Sequence, residues 1–141
     1  MSGHVAQVFL TDEAWDAALA DLRRAVRPGG TLAFESRNPD AALWCHWNPA
    51  ETLRTVETAE GAFEFWHETV SVDLPLVAYE TIARETTTGA ESRPRYVLVF
   101  RTLGRIAASL ERAGFSSIEA YGDWDRSPVG ERSPELILIA R

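Results

Sequence analysis

The chain has 141 residues, 45% of them hydrophobic and 25% charged, which reads as at most one soluble globular domain with enough length to bury a core. Its formal charge of −7 argues against a nucleic-acid partner, because phosphate-backbone binders carry a basic stripe. Cys45, the only cysteine, cannot form an internal disulfide, and no secretory leader or bilayer-spanning apolar run is visible, so the expected location is cytoplasmic with no membrane partner.

Met1 to Leu10 is too apolar for a floppy tail and too short to stand alone. Thr11 can cap a helix with Asp12 and Glu13 in its first turn, where acids are favoured. Trp15, Ala18, Leu19, Leu22 and Val26 recur at helical spacing and form its buried face, while Arg23, Arg24 and Arg27 suit its carboxyl end. Pro28-Gly29-Gly30 then stops the helix. The apolar run Leu32-Ala33-Phe34 predicts a strand over 31–36, buried on both faces as in a parallel sheet. Ser36, Arg37, Asn38 and Pro39 form a polar loop at its carboxyl end, the end where ligands bind in open α/β sheets.

Asp40 to Pro49 reads as a loop containing Trp44, Cys45, His46 and Trp47. The period then changes to two, predicting strands at 52–58, 62–73, 77–87 and 93–101 with turns at Glu60-Gly61, Leu74-Pro75 and Thr88-Gly89. A second helix, Leu103 to Ala113, is capped by Thr102 and stopped by Gly114. A strand at Phe115 to Tyr121, a long loop at Gly122 to Pro134 and a buried terminal strand at Glu135 to Arg141 complete the chain.

Helix, Arg-Pro-Gly-Gly, strand and polar loop over Leu22 to Pro39 resemble the second half of a class I S-adenosylmethionine-dependent methyltransferase, where they are the helix after strand 4 and then strand 5. Gly-His-Val-Ala-Gln at Gly3 to Gln7 and Tyr-Gly-Asp-Trp-Asp at Tyr121 to Asp125 add to the likeness. The resemblance covers nearly the whole chain but only the back half of the family's domain. It implies an α/β fold, with a partial Rossmann-like sheet made of strand 5 and a terminal antiparallel strand pair. Residues 40–101 would be an inserted antiparallel meander covering the substrate side.

The family's Gly-rich cofactor turn and the acidic residue on its next strand are missing, since Gly29-Gly30 sits before a strand, where a cap belongs. The resemblance therefore implies that residues 1–141 are an incomplete methyltransferase domain. Met1-Ser2-Gly3-His4 would be the tail of strand 4 in a longer protein. The chain alone would bind S-adenosylmethionine weakly or not at all. The unpaired edge of strand 31–36 would favour a homodimer or aggregate.

By resemblance, Gly3, His4 and Gln7 pass near the transferring methyl group and are candidates to hold the cofactor. The alternative is an ordinary strand-to-helix loop. Arg37 and Asn38 are candidates to bind substrate, Arg37 through its planar fork, although Asn38 before Pro39 is also a natural turn former. Trp44 and Trp47 form either an aromatic wall over the substrate or a hydrophobic plug. Asp123 and Trp124 lie in the loop between the last two strands, which, with the family's strand order, emerges on the same side as Arg37. A base is needed only for a protonated acceptor, and His4, Glu35 and Asp123 are the candidates. Cys45, His46 and His67 lack metal-ligand spacing, so no metal is expected. The function this implies is methyl transfer from S-adenosylmethionine to a small molecule. The rival is a non-catalytic α+β module that binds an apolar ligand or dimerises.

Overall fold

Thr11 starts the first helix as its sequence suggests: its hydroxyl accepts from the Ala14 N–H. Residues 1–141 are described by a computed structural model. The elements are, in order, α1 (Asp12–Ala25), β1 (Leu32–Arg37), α2 (Pro49–Thr52), β2 (Arg54–Thr58), β3 (Gly61–Asp73), β4 (Leu76–Glu85), β5 (Glu91–Ser92), β6 (Arg95–Val99), α3 (Leu103–Arg112), β7 (Ile118–Tyr121) and β8 (Glu135–Ala140). They form two units, residues 1–42 with 99–141 and residues 43–98.

The first unit holds a three-stranded sheet in the order β1-β8-β7, both pairings antiparallel. Leu32, Phe34, Leu136, Leu138 and Ala140 join Trp15 and Leu19 of α1, Ile106 and Leu110 of α3, and Phe115 in one core. Full burial of each large side chain there contributes about 1.5–3 kcal/mol. The alternate residues Glu35, Arg37, Glu135 and Ile137 share the opposite face, since the side-chain period of a strand is two. Helix α1 ends at Ala25, earlier than the arginine pattern suggests, with Val26 already extended. Pro28 disfavours a helical Arg27 and forces the exit. Strand β7 begins only at Ile118, because the N–H groups of Ser116 and Ser117 both bond to the Arg141 carbonyl.

The outer edge of β1 is not bare. The Met1 amino group donates to the Ala33 carbonyl at 2.7 Å, and the His4 N–H donates to Glu35 Oε1 at 2.9 Å. Residues 1–4 thus run beside β1, the edge strand of the sheet, and meet its backbone at the Ala33 carbonyl.

In the second unit the sheet order is β2-β3-β4-β5, with β6 also on β4. The predicted start of β2 at residue 52 is instead the short helix α2, because Asn48 caps it and Pro49 suits its first position. The predicted strand 93–101 is shorter, β6 at Arg95–Val99; β5 lies ahead of it, and between them the Pro94 carbonyl accepts from the Thr81 N–H. Opposed residues in β3 and β4 share a face. One face carries Glu64, Trp66 and Glu68 opposite Arg84, Ile82 and Glu80, with the Arg84 guanidinium 5.2 Å from the Trp66 ring. The other carries Phe63, Phe65 and His67 opposite Glu85, Ala83 and Thr81.

Candidate functional site

The register of the three-stranded sheet fixes where its polar loops emerge. Glu35 and Tyr121 both oppose Ile137, so β1 and β7 run parallel and end together beside the start of β8. The loops after Arg37 and Tyr121 therefore leave the same end of one sheet. They are also joined: the Asn38 N–H donates to the Pro134 carbonyl at 3.0 Å, and its side-chain amide donates to Ser133 and Gly130 carbonyls at 3.0 and 3.2 Å.

Asn38 is 2% exposed, and its Oδ1 accepts from the Asp40 N–H at 3.1 Å. Its amide holds the 122–134 loop to β1 and is not presented to a ligand. Replacing Asn38 with Ala removes the donor to the Ser133 carbonyl and leaves Gly130 only the Ser133 N–H, and is expected to cost about 1–3 kcal/mol. Faster amide exchange confined to residues 122–134 would register it; unchanged protection there would contradict this role. Gly122 closes the same loop because an added Cβ would lie 2.3 Å from Ser133 Oγ and 2.9 Å from the Pro128 carbonyl.

Five side chains meet at the start of β8. The His4 backbone is left-handed (φ 57°, ψ 27°), directly after Gly3 at φ 76°. That conformation costs a non-glycine residue about 1–2 kcal/mol. Two carboxylates hold it there. Glu35 Oε1 accepts the His4 N–H, and Glu135 Oε1 lies 2.9 Å from the ring Nε2. A carboxylate oxygen accepts, so Nε2 is the ring nitrogen that carries a proton toward Glu135. Gln7 is fully buried and bridges the cluster, accepting from Arg37 Nη1 at 2.9 Å and donating to the Val99 carbonyl at 3.2 Å. The structure thus gives Gln7 the task of orienting Arg37. Glu35 Oε2 and Glu135 Oε2 are buried without a hydrogen-bond partner.

The remaining candidates are not in this cluster. Asp123 accepts from the Trp124 N–H at 2.6 Å, and Trp124 stands 57% exposed in the same loop. Trp44 and Trp47 belong to the second unit. Trp44 is buried and its carbonyl accepts from Thr69 Oγ1 at 2.6 Å, while the Trp47 ring lies 4.8 Å from Tyr79. Glu135 was missing from the sequence reading. Only its register opposite Arg37 reveals it.

Tyr121, ending β7, donates to Glu119 Oε2 at 2.7 Å. The bond to Glu119 pushes the Tyr121 hydroxyl above its ordinary value, and the same bond, with help from Arg141, holds the Glu119 carboxyl below its own. The hydroxyl's contribution to stability is therefore present below the unfolded tyrosine pKa of about 10 and lost as pH rises through the folded value. The carboxyl's contribution is present above the unfolded Glu pKa and lost as pH falls. Glu119→Gln should return one tyrosine of the alkaline absorbance titration to the ordinary range; a titration identical to wild type would contradict the bond.

A concavity of about 310 Å³ lies between α1 and α3 and is lined by Asp12, Trp15, Arg101, Arg105 and Arg112 among others. Its arginines are paired with Asp12 and Asp16, and none of the predicted site residues lines it. No group of three or more His, Cys, Asp or Glu side chains is arranged to hold a metal ion. No helix is long and apolar enough to cross a membrane.

The architecture can now be compared with known proteins. No family model and no curated protein matches the sequence. Solved structures do match. The CcbJ methyltransferase from Streptomyces caelestis superposes over 99% of this chain and 58% of its own, at 18% identity and a TM-score of 0.77. Its fold is similar to that of S-adenosylmethionine-dependent methyltransferases. One from Clostridium acetobutylicum matches at 8% identity over 99% of this chain and 55% of its own, with a TM-score of 0.74. CalS10, an amino pentose methyltransferase from Micromonospora echinaspora solved with S-adenosylmethionine bound, matches at 15% identity over 98% of this chain and 55% of its own, with a TM-score of 0.65. The chain spans little more than half the length of these structures.

The residues present do not by themselves fit the cofactor of those proteins. A glycine turn opening from a strand into a helix would let backbone N–H groups approach such a ligand. Here Gly29 and Gly30 close α1 before β1, and a Cβ on Gly30 would meet the Arg27 carbonyl at 2.9 Å. Of the predicted cofactor residues, Gln7 is sealed in, leaving only exposed Gly3 and part-exposed His4 within reach of a ligand.

Proposed function

We propose that the chain is the acceptor-side half of a small-molecule methyltransferase domain that uses S-adenosylmethionine. The observation that supports this most is the likeness of fold over 99% of the chain to methyltransferase structures. The shared end of β1 and β7 is the acceptor end, with His4, Glu35 and Arg37 on its rim and Asp123 and Trp124 in the adjoining loop. Gly3 and His4 would face the cofactor, whose main grip comes from residues outside this chain. An amino sugar is the first acceptor to test, because the neighbour CalS10 acts on an amino pentose.

Within this chain the residues position and hold. Gln7 fixes Arg37, whose planar fork suits a carboxylate or hydroxyl pair on the acceptor. Asn38 fixes the loop carrying Asp123. Self-association through the β1 edge stays part of the proposal, with the requirement that residues 1–4 first leave that edge. Sedimentation at high micromolar concentration would show a dimer; a clean monomer would count against it.

Calorimetry with S-adenosylmethionine tests the reading, run on this chain and on an in-frame form extended upstream of Met1. Binding by the extended form with little or none by the short one is the expected result. Absence of binding in both would overturn it. Uptake of an apolar ligand by the short form alone would favour the non-catalytic binding module.

A further inference from the structure

The concavity between α1 and α3 gathers positive charge on a chain whose formal charge is −7. Arg101, Arg105 and Arg112 line it. Asp12 stands beside Arg105 and Asp16 beside Arg112, so the two helices present their pairs in the same order along the groove. The charges that act on Arg101 are those of Asp12, Asp16 and Arg105. The neighbouring acids in sequence, Glu13 and Glu111, do not line the cavity. Three guanidiniums against two carboxylates leave one formal positive charge in excess.

Two of the guanidiniums have donors to spare. Arg105 comes no closer than 3.9 Å to Asp12, beyond hydrogen-bond reach. Arg112 gives Asp16 only its Nη2, at 2.9 and 3.0 Å, which leaves Nε and Nη1 uncommitted. Arg101 differs, being 4% exposed and held from below by the Phe9 and Thr11 carbonyls, so it forms a fixed floor. Gly104 adds a backbone N–H in the first turn of α3, where an added Cβ would meet nothing within 4 Å. The four side chains of the rim pairs are 43% to 59% exposed. Pairs that exposed contribute little stability, so an incoming anion can exchange with them.

The donor geometry chooses the ligand. A single carboxylate would only repeat what Asp12 and Asp16 already do. A phosphate group carries two charges and oxygens in several directions, so it can be shared by two planar forks. Seven residues of helix separate Arg105 from Arg112 by about 10.5 Å, a span that two arginine side chains can close on one ligand. The volume of about 310 Å³ holds such a group with room left, since one water takes about 30 Å³.

We infer that the groove between α1 and α3 binds a phosphate-class dianion between Arg105 and Arg112, above the Arg101 floor. The inference does not rest on the methyl-transfer reading, because none of these residues is among those at the shared end of β1 and β7.

The test follows the arginine Nε–H and backbone N–H signals of the full chain at pH 7 while inorganic phosphate replaces chloride at constant ionic strength. We expect saturable shifts at Arg105, Arg112 and Gly104 with a midpoint of about 1–5 mM. Arg105→Gln and Arg112→Gln, both at exposed positions, should each weaken binding at least about fivefold. Asp16→Asn should act in the opposite sense and tighten it about threefold, because it frees the Arg112 fork and removes a repelling charge. A purely structural pair would not show that gain. Amide spectra away from α1 and α3 check that each variant keeps its fold. sn-Glycerol 3-phosphate is the second arm: tighter binding than inorganic phosphate identifies an ester as the source of the group, and no tighter binding identifies the free ion. Equal shifts with acetate, no saturation below about 50 mM phosphate, or weaker binding in Asp16→Asn would overturn the inference.

Discussion

Replacing Arg101 with Met should destabilise the first unit by about 3–5 kcal/mol, the usual penalty for breaking a buried charged network from one side. Arg101 is 4% exposed, and its guanidinium supplies the Phe9 carbonyl at 2.7 Å, the Thr11 carbonyl at 3.1 Å and, at 3.5 Å, the Ala6 carbonyl. Burial pulls its pKa down and Asp12 at 3.4 Å partly offsets this, yet arginine stays charged at any pH the fold survives. Methionine would fill the stem's volume but take the side-chain donor from the Phe9 and Ala6 carbonyls, while the Thr11 carbonyl keeps only the Trp15 N–H at 3.1 Å. The effect reaches the site, because the segment from Ala6 to Thr11 contains or adjoins Gln7, the partner of Arg37. Urea unfolding would show a lower midpoint. A loss under about 1 kcal/mol would mean that water replaces the guanidinium without cost, contrary to the burial.

Trp15→Ala should cost a similar amount, about 3–5 kcal/mol, through the cavity it opens. The ring is 1% exposed and lies edge-on to Phe34 with centroids 5.7 Å apart; Phe9 lies 5.8 Å away. Its indole N–H donates to Ser109 Oγ at 2.8 Å, fastening α1 to α3. Trp15→Phe should cost much less, since Ser109 keeps its own bond to the Ile106 carbonyl at 2.7 Å. Against a typical total of about 5–15 kcal/mol this is a large fraction of the stability, so the Ala variant should unfold at a clearly lower urea midpoint. Because the Arg101 guanidinium lies 5.4 Å from the Trp15 ring, the double variant should lose less than the sum of the two. Strict additivity in the unfolding series would show that the two side chains act independently.

Local signals carried much of the fold. Thr11 with Asp12 and Glu13, Pro28-Gly29-Gly30, and the alternation in β3 and β4 each depend on near neighbours, and each produced its element within a few residues. The shared exit of the loops after Arg37 and Tyr121 followed once the strand order was taken from the resemblance. The cluster itself was less legible. Glu135 meets His4 across 131 positions, and only the pairing of β8 with β1 places it there. Asn38 reads as a turn former, and it is one, but its grip on Gly130 and Ser133 depends on a loop that sequence cannot trace. Arg101 ends the predicted strand 93–101, and its burial follows from carbonyls in a segment ninety or so positions earlier.

The claim on which the account turns is that the acceptor meets the protein where β1 and β7 end. Amide proton–nitrogen spectra of the full chain, recorded while D-glucosamine is added, test it most directly. The account predicts that the moving signals are those of Gly3, His4, Arg37 and residues 122–127. Movement centred instead on Phe63, Phe65 and His67, with the β1 end silent, would contradict it and place the ligand on the aromatic face of the inserted sheet.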